Sequence, residues 1–334
     1  MSDSSGASHE FTSEADSDVR LDLLVAARLG LSRTQSATLI AGGAVTVAAP
    51  GGPPRRERAS YRPRAGERVS VIVPPAPSRE VLAEDIPLVV VHEDEHIVVV
   101  DKPAGMVVHP APGHWSGTLV NALLARDALP AGGDLERPGI VHRIDKETSG
   151  LLLVARSERA HRALSAAIAA RRVVRRYAAV AWGHLDRDEV TVDKPLGRDP
   201  RDRRRMAVTP SGRPARTTFV RLARFDAVDL LRAHLHTGRT HQIRVHLASI
   251  GHPVIGDDTY GGGGGRKVVA LPPKRHFLHA AWLRFRHPVT GLDLDLRSPL
   301  PEDLRVALAR IAHDDTLLTH HDPLDAWGFY NDRA

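Results

Sequence analysis

The 334-residue sequence contains no cysteine. Disulfides, thiolate metal ligands and cysteine nucleophiles are therefore excluded. No segment approaches the roughly 18 uninterrupted apolar residues of a membrane-spanning helix. The N-terminus is acidic and lacks the basic start and apolar core of a secretory signal, so a soluble cytoplasmic protein is expected. No phosphate-binding loop is present. The glycine run Gly261–Gly265 continues as Arg266, Lys267, Val268 and reads as a surface loop, so no nucleotide cofactor is expected. There is no HExxH pattern either, although His234, His236, His241, His246 and His252 fall close together. His234 and His236 share a strand face, whereas His241 and His246, at i and i+5, diverge by about 140° on a helix. No metal site is expected from them.

What the chain does have is an uneven charge. Lys and Arg number 46 against 40 acids, a formal net charge of +6 with an isoelectric point near 10.0. Met1 to Val19 holds Asp3, Glu10, Glu14, Asp16 and Asp18 with no Lys or Arg, and is expected to be a disordered tail. Residues 314–334 are likewise expected to form an acidic tail. The middle is more basic than the total, which favours a polyanionic partner.

Residues 20–73 read as a small α-α-β-β module. Leu21, Leu24, Val25 and Leu29 have helical spacing with Gly30 as a stop. Ser32 suits the N-cap of a second helix ending at Gly42 and Gly43. Strands are expected at 44–47 and 68–73. A Pro-rich linker, 74–86, leads to a large domain over 87–313. That domain opens with a hairpin, Leu88–Val91 and Ile97–Val100. A helix capped by Ser157 carries one apolar stripe, Ala160, Ala163, Leu164, Ala167 and Ile168. Strands at 173–181, 216–222 and 228–236 follow, the last with a wetter face. Further helices are expected from Thr240, as N-cap, to Gly251 and over 302–313. Strands and helices do not alternate regularly, so the fold expected is α+β with a mixed, largely antiparallel central sheet.

The most informative stretch is Glu136 to Arg156, ERPGIVHRIDKETSGLLLVAR. One acid, Asp145, sits in a polar turn ahead of a solid apolar run, Leu151 to Val154, that reads as a strand buried on both faces. His142, Arg143 and Lys146 surround the acid and favour its ionised form.

This string resembles the signature of the RluA-type pseudouridine synthases, in which the Asp of an HRLD-x-x-TSG-LLL motif is catalytic. Ile144 replaces the motif's Leu, a volume-conserving change. Three further blocks fit the same family in the same order: Leu235–Leu247 (LHTGRTHQIRVHL), Gly251–Gly261 (GHPVIGDDTYG) and Leu278–Gly291 (LHAAWLRFRHPVTG). The resemblance runs from about Pro87 to Pro301. It implies the pseudouridine synthase fold. The N-terminal module, of α-L type, resembles the S-four-like RNA-binding domain, though Arg33 is the only basic residue of its second helix; Arg55, Arg56 and Arg58 stand in the following loop.

The resemblance implies an isomerase acting on structured RNA without cofactor. The enzyme breaks the N–C glycosidic bond of uridine, turns the uracil and rejoins it through carbon. Asp145 is the implied essential carboxylate, able to attack the ribose, attack the base or take a proton. Arg244, the Arg of HQIR-x-H, is its implied counter-charge, and Tyr177 is implied to stack on uracil and relay the proton lost from C5. Leu278 is expected in the apolar wall of the pocket. Two dense clusters suit phosphate contacts: Arg171, Arg172, Arg175 and Arg176 at a helix-to-strand junction, and Arg198, Arg201, Arg203, Arg204 and Arg205 in a loop. From these and their surroundings, His142, Arg143, Arg176, Arg203, Arg204 and Arg239 are the expected substrate contacts. GRDPRDRRRMAV, from Gly197, resembles the loop of RluD-type synthases, which modify large ribosomal RNA. Ribosomal RNA is therefore the expected target and a monomer the expected state. Transfer RNA as target, and a non-catalytic RNA-binding protein, are the alternatives.

Overall fold

The computed structural model describes residues 7–14, 18–74, 81–111, 114–127, 129, 138–265, 269 and 271–331. The rest of the expected N-terminal tail (1–6 and 15–17), positions 75–80 of the expected linker, Arg266–Val268 after the glycine run, and 332–334 lie outside the described residues. Two compact units divide the chain, Met1–Glu80 and Val81–Ala334.

The first unit contains α1 (Leu21–Leu29), α2 (Arg33–Ala41) and a three-stranded sheet ordered β1 (Ala7–Thr12), β3 (Arg68–Val73), β2 (Val45–Ala48). Gly30 ends α1 at φ 64, a left-handed conformation that costs glycine little. Ser32 caps α2 through a reciprocal capping box with Gln35. Leu21, Val25, Ile40, Val45, Val47, Val69 and Val71 close the core. Strand β1 corrects the expectation of a disordered acidic tail. It pairs antiparallel with β3, Phe11 packs against the core, and Glu14 and Asp18 form ion pairs with Arg28 and Arg62. The open edge of β3 supplies backbone partners that a composition argument ignores.

A nine-stranded sheet dominates the second unit, in the order β4 (Val89–Glu93), β5 (Ile97–Lys102), β6 (Ser149–Ala155), β13 (Leu278–Arg286), β7 (Val174–Trp182), β12 (Val228–Leu235), β11 (Arg216–Arg224), β8 (Glu189–Asp193), with β14 (Asp293–Arg297) paired to β13. Only the β6–β13 contact of this sheet is parallel. A separate hairpin joins β9 (Leu196–Arg198) to β10 (Met206–Val208). The helices are α3 (Leu119–Ala125), α4 (Glu158–Ala169), α5 (Gln242–Ala248) and α6 (Glu302–Ala312). This is the mixed, largely antiparallel α+β arrangement expected.

Every residue of β6 is buried. Leu152 and Val154 enter one core cluster, while Leu151, Leu153 and Ala155 enter another on the opposite face. The period-two alternation of a strand therefore fills two cores at once. Helix α4, capped by Ser157, covers the second cluster with Ala160 and Leu164.

Two expectations fail here for one reason. Residues 314–331 do not form a tail: Leu317, Leu324, Phe329 and Tyr330 are buried against α6 and the sheet. Their acids act as caps, Asp314 and Asp322 each accepting a backbone N–H at the start of a 3-10 turn. The face of β12 expected to be wet is covered, and Arg232, 3% exposed, donates to the carbonyls of Phe329 and Asn331 at 2.9 and 2.7 Å. Phe329→Ala is expected to cost about 3–5 kcal/mol of unfolding free energy. Urea unfolding measures it, and an unchanged midpoint would return the segment to the status of a tail.

Helix α5 begins later than its sequence suggests. Its cap is His241 at φ 57 rather than Thr240. The side chain of Gln242 accepts from Thr237 Oγ1 and Arg239 N at 2.7 and 3.0 Å and donates to Arg216 O at 3.0 Å. Gln242 thus fixes the loop, and the strained His241 follows from it.

Candidate active site

Asp145 lies in the turn that delivers the chain into β6. The turn is pinned from below by two buried basic side chains. Lys102, wholly buried at the end of β5, donates Nζ to the carbonyls of Pro103, Met106 and Lys146 at 2.7, 2.9 and 3.1 Å. Burial, aided by the charge of Arg275, pushes the Lys102 ammonium down to about 7. Arg275 donates to Glu147 O at 2.6 Å and to Ser149 Oγ at 2.7 Å. Both carbonyls that follow Asp145 are held, so the carboxylate is aimed before any substrate arrives.

Its partner comes from α5. Arg244 Nη1 donates to Asp145 Oδ2 at 3.0 Å, while Nε and Nη2 form a fork onto Asp257 at 2.7 and 2.8 Å. The guanidinium stacks 5.0 Å from the centre of the Tyr260 ring. Burial opposes ionisation of Asp145, but His241 and Arg244 outweigh it and hold the carboxyl below its ordinary value of 3.8. Burial also keeps His241 and His276 below the usual histidine range, which leaves Arg244 as the permanent counter-charge at neutral pH. His241 hydrogen-bonds the Tyr260 hydroxyl at 2.8 Å, and His276 bonds the Thr148 hydroxyl at 2.8 Å.

Asp257 and Tyr260 belong to the GDDTYG block, whose role the sequence does not disclose. A buried acid two residues beyond Ile255 is the one signal available. Asp257→Asn is expected to lower stability by about 3–5 kcal/mol, because the fork is broken on a buried guanidinium. Urea unfolding at neutral pH tests this, and a loss within experimental error would reduce Asp257 to a bystander.

Above the turn opens a cleft of about 470 Å³ lined by Asp145, Tyr177, Leu278, His142, Arg143 and Arg239. All six are expected site residues, and Arg244 lines the same cleft. Tyr177 is 4% exposed, and burial pushes its hydroxyl up to about 12, so it stays a phenol at neutral pH. Leu278 and Ile144 supply apolar wall.

Three expected contacts lie elsewhere. Strand alternation turns Arg176 to the opposite face from Tyr177, where it stacks on Trp282 at 4.3 Å and donates to Asn331 O. Its neighbour Arg175 lines the cleft instead. Arg203 and Arg204 sit on the exposed β9–β10 loop, outside the cleft lining, with Arg204 paired to Asp202 at 3.1 Å. The histidines disperse into local bonds: His246 with Thr217 and Lys194 O, His236 with Thr218, and His252 with Trp182 O.

A family profile described as RNA pseudouridylate synthase matches residues 96–249. The chain is 44% identical to "Uncharacterized RNA pseudouridine synthase YlyB" of Bacillus subtilis over 294 residues, covering 87% of this chain and 94% of that one. It is 49% identical to "Ribosomal large subunit pseudouridine synthase D" of Nitrosomonas europaea over 234 residues, 69% of this chain and 67% of that one. Among solved structures, "Human RNA Pseudouridylate Synthase Domain Containing 1" is similar with a TM-score of 0.53 and 28% identity, covering 74% of this chain and 99% of that one.

Proposed function

Because this chain belongs to the RNA pseudouridine synthase family, we propose that it isomerises uridines of large ribosomal RNA with Asp145 as essential carboxylate and no cofactor. The observation that carries this reading is the pairing of Asp145 with Arg244 at 3.0 Å in the cleft that also holds Tyr177 and Leu278. The name of the Nitrosomonas europaea relative supports the ribosomal target.

The reaction breaks the N1–C1′ bond, forms C5–C1′, removes the proton from C5 and returns one to N1. It is balanced without oxidant, reductant or energy input. A carboxylate held ionised by Arg244 in this cleft serves each of the roles open to it, nucleophile or base. Tyr177 offers a ring to the uracil. As a phenol it passes a proton only when an acceptor takes one in the same step. Arg143 and Arg239 at the cleft, with Arg203 and Arg204 on the β9–β10 loop, add positive charge along the approach of a polyanion. Arg56 and Arg58 in the first unit are the corresponding candidates there.

A pseudouridine map of total RNA from cells with and without this gene tests the proposal. Loss of pseudouridine at defined positions of large ribosomal RNA is expected. Loss from transfer RNA alone would overturn the target, and an unchanged map would overturn the activity.

A further inference from the structure

Two residues that line the cleft each hold a buried donor with no acceptor among the described residues: Nε of Arg175 and Nδ1 of His142. Arg175 is 5% exposed, yet its guanidinium forms no ion pair or hydrogen bond with those residues. That is the reverse of Arg244 and Arg275, similarly buried, which donate from Nε and both Nη, and of Arg232, whose Nη1 donates to the carbonyls of Phe329 and Asn331. An uncompensated cation at this depth is costly, and a fold keeps one where a ligand supplies the missing charge.

His142 points to the same conclusion independently. Leu153 N donates to its Nε2 at 3.1 Å, so Nε2 is the acceptor and the ring proton resides on Nδ1. Burial and the Arg175 charge push this ring down to about 3, and it is neutral at physiological pH. Its Nδ1–H is therefore a fixed donor with no acceptor among the described residues. The cleft of about 470 Å³ that both residues line has room for one. Gly238 faces Arg175, and a Cβ there would stand 3.1 Å from Nη1 and crowd the guanidinium. Alternation along β7 places Arg175 on the face that carries Tyr177.

We propose that Arg175 and the Nδ1–H of His142 form an anion subsite that takes a phosphate of the uridine nucleotide seated at Asp145. The inference rests on the reading of the cleft as a uridine site. A uracil carbonyl would satisfy one hydrogen bond and leave the cation uncompensated. A phosphate brings both the charge and the oxygens, and arginine's planar fork suits it. Asp145 is already committed to Arg244, so the subsite and the carboxylate hold different parts of one nucleotide.

The arrangement has a signature that a structural arginine would not give. Arg175→Met removes a charge that nothing in the free protein balances, so the thermal midpoint is expected to rise by roughly 2–4 °C. The same variant is expected to lose about tenfold or more in affinity for uridine 5′-monophosphate and little for uridine. Arg175→Lys restores part of the difference. Thermal unfolding of the full chain in uridine 5′-monophosphate, uridine and inorganic phosphate reads these effects directly. On transcribed large ribosomal RNA, the slope of log K against log salt is expected to fall by about 0.7–0.9 in Arg175→Met. A lower midpoint for Arg175→Met, or wild-type protein that binds the nucleotide no better than the nucleoside, overturns the subsite. Uridine conversion by the wild type is followed in the same RNA. Its absence would count against the reading of function, whereas lost discrimination between nucleotide and nucleoside counts against the subsite alone.

Discussion

Asp145→Asn is expected to lower the rate of pseudouridine formation by about 10⁴-fold or more, with the fold and RNA binding intact. The substitution changes almost nothing but charge. Asparagine keeps the shape, and its amide oxygen still accepts from Arg244 Nη1. Arg244 is not orphaned either, because Asp257 holds its other edge through two bonds of 2.7 and 2.8 Å. The turn itself is fixed by its carbonyls, which Lys102 and Arg275 hold regardless of the side chain at 145. What disappears is the ionised oxygen that attacks or accepts a proton. Single-turnover conversion, filter binding and thermal unfolding separate these quantities. A variant converting uridine at the normal rate would remove Asp145 from the chemistry. One that neither folds nor binds RNA would make it structural.

How much of this site was legible in the sequence depends on the kind of signal each residue leaves. Asp145 was visible because a charged turn next to four consecutive aliphatics is unusual, and the surrounding motif resembles a family signature. Strand β6 followed from the same aliphatics. Arg176 was the wrong member of its pair: adjacent arginines are equivalent in composition, and only the phase of β7 relative to the sheet decides which one meets the cleft. Asp257 left little trace, because its role is to hold Arg244 across a loop, and a contact between α5 and that loop has no period to read. The two ends of the chain misled for a common reason. Acidic composition suggested tails, whereas Phe11, Leu317, Leu324 and Phe329 anchor those ends and Asp314 and Asp322 serve as caps. A few apolar anchors and capping geometry outweigh an average over the segment.

Arg244→Met is expected to be nearly as damaging as the loss of Asp145, by a different route that pH exposes. In the wild type, Asp145 and Asp257 are both held below the ordinary carboxyl value of 3.8 despite their burial. Their folded pKa values being lowered, the stability they contribute is present above the unfolded value and is lost as pH falls through the folded one. Activity at neutral pH therefore lies far from the protonation of Asp145, and the rate should be flat from about pH 5 to pH 8. With methionine at 244 the guanidinium is gone, and burial is opposed only by His241 and His276, which burial itself keeps from charging, and at Asp257 by the Thr259 N–H, so both pKa values are expected to rise above 3.8. The sign of the linkage then reverses. A folded pKa above the unfolded one gives stability that is present at low pH and lost as pH rises through the folded value. The variant should be relatively more stable near about pH 5 than about pH 8, after an overall loss of about 3–5 kcal/mol for breaking a buried pair. Its acidic limb of activity should move upward toward neutrality, with the neutral-pH rate down about 10²–10³-fold, the range for losing a charge that acts on the reacting group. Arg244→Lys restores the charge without the fork, since one ammonium cannot reproduce two bonds to Asp257 and a third to Asp145. An intermediate rate with the limb back near its wild-type position is the expected result. A pH–rate profile for Arg244→Met that superimposes on the wild type after scaling would sink the ion-pair argument, because a merely structural arginine would lower the rate without moving the limb.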